Sequence, residues 1–224
     1  MPESLPFRAV SLDVDGTLYD LSRIRWRVAL RMLGQVSFIR RFSKVREVLR
    51  KRGEPVADFR ATQRDLLARR LNQPPDRVEA RIQRVMYQKL PALYRKVRPY
   101  PGVSEVLAEL SQRGIVLAVL SDYPPEDKLA GLGLSDLPFK AMVSGEAVGA
   151  LKPHPASFEA LSEQISIPPA QILHVGDRED CDVDGALAAG CQAARFAPTG
   201  GQSRARVVFS RWPQFFERVA RAHA

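Results

Sequence analysis

Ser11-Leu12-Asp13-Val14-Asp15-Gly16-Thr17-Leu18-Tyr19-Asp20 follows Arg8-Ala9-Val10, so a run rich in strand formers ends in two carboxylates one residue apart, and a glycine then breaks the strand. A buried parallel strand delivers acids to the edge of a sheet in this way. Residues i and i+2 of an ideal strand share a face, which points Asp13 and Asp15 the same way with their charges close together. Two such anions repel unless a cation or a shared proton relieves them. Standing alone, Asp-x-Asp-Gly suits a solvated turn equally well.

The chain has 224 residues and is 45% hydrophobic, enough for a substantial core, either as one large domain or as a core with an inserted module. It contains no apolar run of about 18 residues, and Met1-Pro2-Glu3-Ser4 lacks a basic region followed by an apolar stretch; a soluble cytoplasmic protein without membrane contact is expected. Cys181 and Cys191 form no Cys-x-x-Cys pair, which excludes a disulfide framework and a thiolate zinc site and predicts buried thiols.

From Leu21 to Val97 the period is helical. Trp26, Leu30 and Leu33 with Ile24 and Val28 make one apolar stripe, and Phe38, Phe42, Val45, Val48 and Leu49 a second; the aromatic residues read as core. Gly53-Glu54-Pro55 punctuates before a helix carrying Phe59, Leu66, Leu67 and Leu71. Asn72-Gln73-Pro74-Pro75-Asp76 ends that helix and opens another, with Val78, Ile82, Val85, Met86 and Leu90 inward. A small helical bundle is therefore expected directly after the first strand.

Arg98-Pro99-Tyr100-Pro101-Gly102 is a rigid linker back to a different grammar. A helix with Val103, Val106, Leu107 and Leu110 inward is stopped by Gly114 before the strand Ile115 to Leu120. Strands over Phe139 to Ser144, Ile172 to Val175 and Gln192 to Phe196 alternate with helices over Pro155 to Ile165 and Asp184 to Ala189. Val207-Val208-Phe209 adds an edge strand, and a last helix packs with Phe215, Phe216 and Val219. Alternating strand and helix with short connections predicts a doubly wound, parallel α/β sheet.

Three later stretches follow in chain order: Val116 to Ser121, Lys152-Pro153, and Val175-Gly176-Asp177 with Asp182. Together the four stretches resemble the haloacid dehalogenase-like hydrolase superfamily, in the phosphoglycolate phosphatase-like subgroup whose helical cap is inserted after the first motif. The resemblance covers residues 7 to 20 and about 99 to 198, and implies a Rossmann-like core over 1–20 and 96–224 with a helical cap domain over 21–95. Residues 21 to 95 carry no motif of that family.

The resemblance implies a magnesium-dependent phosphatase acting on a small phosphorylated metabolite. Asp13 would be the nucleophile, since a carboxylate can form and then release a mixed anhydride with phosphorus. Asp15 would protonate the leaving alkoxide and later take a proton from water. A dehalogenase of the superfamily lacks that second acid, because halide leaves without a proton, so Asp15 argues for phosphate chemistry. Ser121 would hydrogen-bond a phosphoryl oxygen, and Lys152 would pin the nucleophile and neutralise charge on the transferring group. Mg²⁺ would be held by the Asp13 side chain, the Asp15 backbone carbonyl and the Asp177 side chain, with Asp182 orienting the ion's surroundings or Lys152. The role of Asp122 stays open. His154 reads as a loop residue and His174 as a core histidine.

Other readings stand beside this one. Asp180-x-Asp182-x-Asp184-Gly185 begins like a calcium loop, but its twelfth position falls on Cys191 where a bidentate Glu is required. The formal charge of +9 hides a division: residues 21–98 hold 22 Lys+Arg against 6 Asp+Glu, whereas the remainder holds 12 against 19. The basic helices have three readings: a solvated surface, steering of a polyanionic substrate by Arg50-Lys51-Arg52 or by Arg23, Arg25 and Arg27, and contact with nucleic acid or an acidic partner. No nucleic-acid motif accompanies the charge. A phosphomutase acting on a sugar phosphate would keep the same core residues, and a basic binding module on a silent core is the non-enzymatic alternative. A monomer is mildly favoured by the basic surface.

Overall fold

The computed structural model describes residues 5–223, so Met1-Pro2-Glu3-Ser4 lies outside the described residues. The opening strand β1 (Ala9–Leu12) is buried throughout. It leads into α1 (Leu21–Arg31), α2 (Val36–Arg50), α3 (Phe59–Leu71) and α4 (Pro75–Ile82), the last prolonged by a π-helical segment, Gln83–Lys89. The chain then alternates: α5 (Val103–Gln112), β2 (Val116–Ser121), α6 (Glu126–Leu132), β3 (Phe139–Ser144), α7 (Gly145–Val148), α8 (Pro155–Ile165), β4 (Ile172–Gly176), α9 (Asp184–Ala188), β5 (Gln192–Phe196), β6 (Val207–Phe209) and α10 (Phe215–His223).

The six strands form one parallel sheet in the order β3-β2-β1-β4-β5-β6. β1 therefore lies where the chain order reverses: Ala9 is level with Val116 of β2 on one side and Ile172 of β4 on the other. In an open parallel sheet the crevice beyond the strand ends at such a point is where ligands bind. Asp13, Ser121 and Asp177 are the residues at or just past the ends of these three strands.

Apolar residues cover both faces of the sheet, as alternating βα units require. On one face α5, α6 and α10 contribute Val103, Leu107, Leu129, Phe215 and Val219; on the other α8 and α9 contribute Phe158, Leu161, Ile165 and Ala186. The result is the doubly wound α/β fold expected from the sequence.

The helices after β1 pack around an apolar core of their own, with Phe38, Phe42, Val45, Leu49, Phe59, Leu67, Val78, Ile82 and Met86 buried together and Leu151 reaching in from the sheet-bearing part. Local signals set their ends. Asp20 and Asp58 cap α1 and α3 by accepting backbone N–H groups, and Asn72 ends α3 in the left-handed conformation.

The first predicted stripe needs correction. Ile24 is buried and Val28 partly so, but Trp26, Leu30 and Leu33 are 68%, 64% and 78% exposed. Val48 is also exposed. α1 is apolar on two sides, and only the Ile24 side meets the protein. Among the described residues no helix is long and apolar enough to cross a membrane.

Candidate active site

β1 ends at Leu12, so Asp13 and Asp15 lie on the loop that leaves the sheet rather than on the strand itself. The loop turns at Gly16, whose φ of +95° favours glycine and where a Cβ would stand 2.4 Å from Asp177 Oδ2. The two carboxylates consequently do not share one counter-ion. Asp13 is held by Lys152, whose Nζ lies 2.7 Å from Oδ1, and by the Thr17 hydroxyl, which donates to Oδ2 at 3.0 Å. Asp15 is held by Lys128 and by the Tyr19 hydroxyl, one on each oxygen.

Lys152 is buried and donates in three directions: to Asp13, to Asp182 Oδ1 at 2.6 Å and to the Leu120 carbonyl at 3.1 Å. Asp182 is consumed by structure. Its Oδ1 meets Lys152 and, at 3.4 Å, His174 Nε2, while Oδ2 accepts the Arg178 N–H. His174 is more than core filling, because its other nitrogen lies 2.6 Å from Ser11 Oγ. Burial lowers the His174 pKa, so a neutral ring that accepts from Ser11 and donates to Asp182 satisfies all three groups.

One carboxylate oxygen each from Asp13, Asp177 and Asp182 lie within 4.8 Å of one another. Three acids around one ammonium leave an excess of negative charge. Burial lifts the Asp13 carboxyl to about 8, with Asp182, Asp177 and Asp15 adding to the rise and Lys152 opposing it. Burial and the Asp182 charge likewise lift Asp177 to about 6. Asp182 goes the other way: burial opposes its charge, but Lys152 outweighs that and holds it below the ordinary carboxylate range. The contact at 2.7 Å favours an ionised Asp13 and the burial a protonated one; burial prevails, since Lys152 is already shared with Asp182.

Among the described residues, Asp177 Oδ1 is buried with no hydrogen-bond donor. An orphaned carboxylate oxygen beside a second acid, on a side chain whose close approach Gly16 permits, fits a hard divalent cation. Ser121, at the end of β2, is buried, and its Oγ accepts the Tyr123 N–H at 3.3 Å. His154 caps α8, its Nδ1 accepting the Ala156 N–H. The calcium-loop reading fails on geometry, because Asp182 is committed to Lys152 and the Arg178 N–H, and Asp184 already begins α9.

The sequence model described as haloacid dehalogenase-like hydrolase matches residues 7–190. The chain belongs to this family. It is 32% identical over 197 residues to the glyceraldehyde 3-phosphate phosphatase of Methanopyrus kandleri, covering 84% of this chain and 83% of that protein. It is 40% identical over 97 residues to a phosphoglycolate phosphatase of Haemophilus influenzae, a match that spans only 42% of either chain. Among solved structures, the L-2-haloacid dehalogenase of Xanthobacter autotrophicus superposes with a TM-score of 0.67 at 25% identity, covering 97% of this chain and 100% of that one.

As a haloacid dehalogenase-like hydrolase the chain carries further polar residues at the site that sequence reasoning missed. Lys128 is buried on α6, 4.8 Å from the Tyr123 ring centre and 5.3 Å from that of Tyr94. Burial opposes its charge, but Asp15 and the tyrosines outweigh this and raise its pKa. Tyr19 and Thr17 belong to the quoted stretch, each four residues past its carboxylate on the turn that leaves β1. For Lys128 no local signal existed, since it lies 113 residues from Asp15.

Proposed function

We propose that this hydrolase is a divalent-cation-dependent phosphatase acting on a small phosphorylated metabolite through an aspartyl-phosphate at Asp13. The observation that carries the reading is the buried Asp13, fixed by Lys152 and Thr17 and set beside an unpartnered oxygen of Asp177. Phosphoryl transfer asks for positioning and charge neutralisation more than for covalent help, and this arrangement offers both.

In the proposed cycle Asp13 attacks phosphorus in line with the leaving alkoxide, and Asp15 gives that oxygen its proton. Asp15 then takes a proton from the water that cleaves the acyl phosphate and returns Asp13. Ser121 and Lys152 hold phosphoryl oxygens and the charge that develops on them. The Asp13 and Asp177 side chains, with the Asp15 backbone carbonyl, would hold Mg²⁺, which when bound supplies positive charge beside the transferring group. Asp182 keeps Lys152 aimed. Residues 21–95 act as a cap domain on a core of 1–20 and 96–224, excluding water and reading the leaving group.

The likeness to an L-2-haloacid dehalogenase favours one second reading, halide displacement by Asp13. Asp15 separates the two, because a departing halide needs no proton whereas an alkoxide does. The test is a panel of phosphorylated metabolites and 2-chloropropionate, assayed for phosphate and for halide with and without Mg²⁺, with Asp13→Asn as control. Magnesium-dependent phosphate release supports the proposal. Halide release alone overturns it in favour of the second reading, and isomerised sugar phosphate without net release would make the protein a phosphomutase.

A further inference from the structure

Asp122 follows Ser121 on the loop after β2, and its surroundings answer a question that the chemistry above leaves open. Both peptide groups of Lys152 are held by a single ion pair. The Lys152 N–H donates to Asp122 Oδ1 at 3.0 Å, and the Lys152 carbonyl accepts from the Arg50 guanidinium. Arg50 and Asp122 are themselves paired, with Nη2 2.7 Å from Oδ2 and both side chains largely buried. Arg50 is the last residue of α2, in the inserted helices.

One turn earlier on the same face of α2, Arg46 donates to the Asp122 backbone carbonyl at 2.8 Å and lies 3.8 Å from the centre of the Tyr123 ring. Asp122 is thus gripped twice by α2, at its side chain and at its carbonyl, and passes that grip to Lys152. The other end of Lys152 sets Asp13 and Asp182. An ammonium on a four-carbon stem is only as well placed as its own backbone. Loss of about 1 Å in placement at a reacting group costs on the order of 10²-fold in rate.

We infer that Arg50 is a positioning residue for Lys152. Acting with Asp122, it makes the setting of the nucleophile depend on the seating of the inserted helices. The inference rests on the phosphatase reading for its kinetic consequence, but not for its geometry. The planar guanidinium bridges a carboxylate and a carbonyl at once, which the point charge of a lysine does not reproduce. Seating α2 completes the clamp; lifting it leaves the Lys152 carbonyl without its donor and Asp122 without its counter-ion.

The test uses the full chain with Arg50→Ala, Arg50→Lys and Asp122→Asn, an aryl phosphate as substrate, and amide hydrogen exchange as a second readout. In Arg50→Ala the clamp predicts a kcat about 10²-fold lower with KM changed by less than about threefold. Arg50→Lys recovers little of this, and added guanidinium ion recovers part of it. Asp122→Asn, which keeps the acceptor for Lys152 but loses the charge, falls between. The Lys152 amide exchanges at least about tenfold faster in Arg50→Ala while amides in β1 and β4 keep their protection. A loss confined to KM, a kcat within about twofold of the parent, or acceleration spread over the whole sheet overturns the inference. A parent that releases no phosphate would sink the phosphatase reading alone, because an unchanged Lys152 amide overturns the clamp whether or not the parent is active.

Discussion

Two buried ionic clusters lie on either side of the loop after β2, and they are built to opposite rules. At the sheet edge one ammonium, Lys152, faces Asp13, Asp182 and Asp177. Between inserted helices and sheet, Arg46 meets Glu146, with Gln63 and Tyr87 completing the hydrogen bonds and Arg60 3.6 Å from the far oxygen of Glu146. In the second the buried charges balance, Arg46 against Glu146, with Arg60 adding to the pair from its half-exposed position. The first is short of positive charge, and one of its buried oxygens has no donor. A protein interior tolerates such a deficit only where a proton, a cation or a substrate makes it good. The comparison separates a site that holds the chain together from one that is kept ready.

Substitutions can break that comparison at either end. The largest effect is expected from Asp13→Asn, which should lower phosphatase activity by about 10⁴-fold or more, as loss of a covalent nucleophile does, while circular dichroism stays that of the parent. In the balanced cluster, Glu146→Ala leaves the buried Arg46 without its counter-ion and should cost about 3–5 kcal/mol in denaturant unfolding. Asp177→Asn should cost about 1 kcal/mol or less, since it also removes repulsion, but it should abolish the response of the melting temperature to Mg²⁺. Comparable losses from Glu146→Ala and Asp177→Asn would erase the distinction.

Acidity sharpens it further. Burial raises the Asp13 carboxyl in the folded protein to about 8, against the ordinary value of 3.8 for the unfolded chain. Between those values the folded state binds the extra proton, so without a cation this group's contribution falls as pH rises. Asp182 has the reverse sign: Lys152 holds its pKa down, so its contribution is present above the ordinary carboxylate range and is lost on acidification. A divalent cation bound as proposed would replace protons on Asp13 and on Asp177, whose pKa is lifted to about 6. Thermal melts should therefore show stabilisation by Mg²⁺ growing from about pH 5 to pH 8; a shift independent of pH would mean that the cation binds elsewhere. The smallest effect is expected at the exposed stripe, where Trp26→Ala should change stability by no more than about 0.5 kcal/mol because the ring contributes nothing to either core.

How much of this could be read in advance followed the range of the interactions. The strands that carry Asp13, Ser121 and Asp177 were legible because a buried parallel strand is a short apolar run closed by a turn, and the acids stand at its end. Lys152 was legible only through the resemblance, which expects a lysine before a proline between the second and fourth motifs; by itself it reads as a surface lysine. The stripe through Trp26 was misread because helical spacing says that a helix has an apolar side, not that the protein covers it. Lys128 with Asp15, Arg46 with Glu146 and Arg50 with Asp122 join residues 113, 100 and 72 positions apart, and no spacing rule reaches so far. The excess of arginine in the inserted helices was plain, but not that two of them turn inward to hold the sheet edge.

The most direct measurement is on the acyl phosphate. Enzyme mixed with a phosphomonoester and Mg²⁺, quenched in acid and digested, should yield one phosphoryl group on the peptide containing Asp13. Asp15→Asn, slowed in the hydrolysis of that species, should retain more of the label than the parent. Label on any other residue, or its absence from both proteins while phosphate is released, would contradict the assignment of Asp13 as nucleophile.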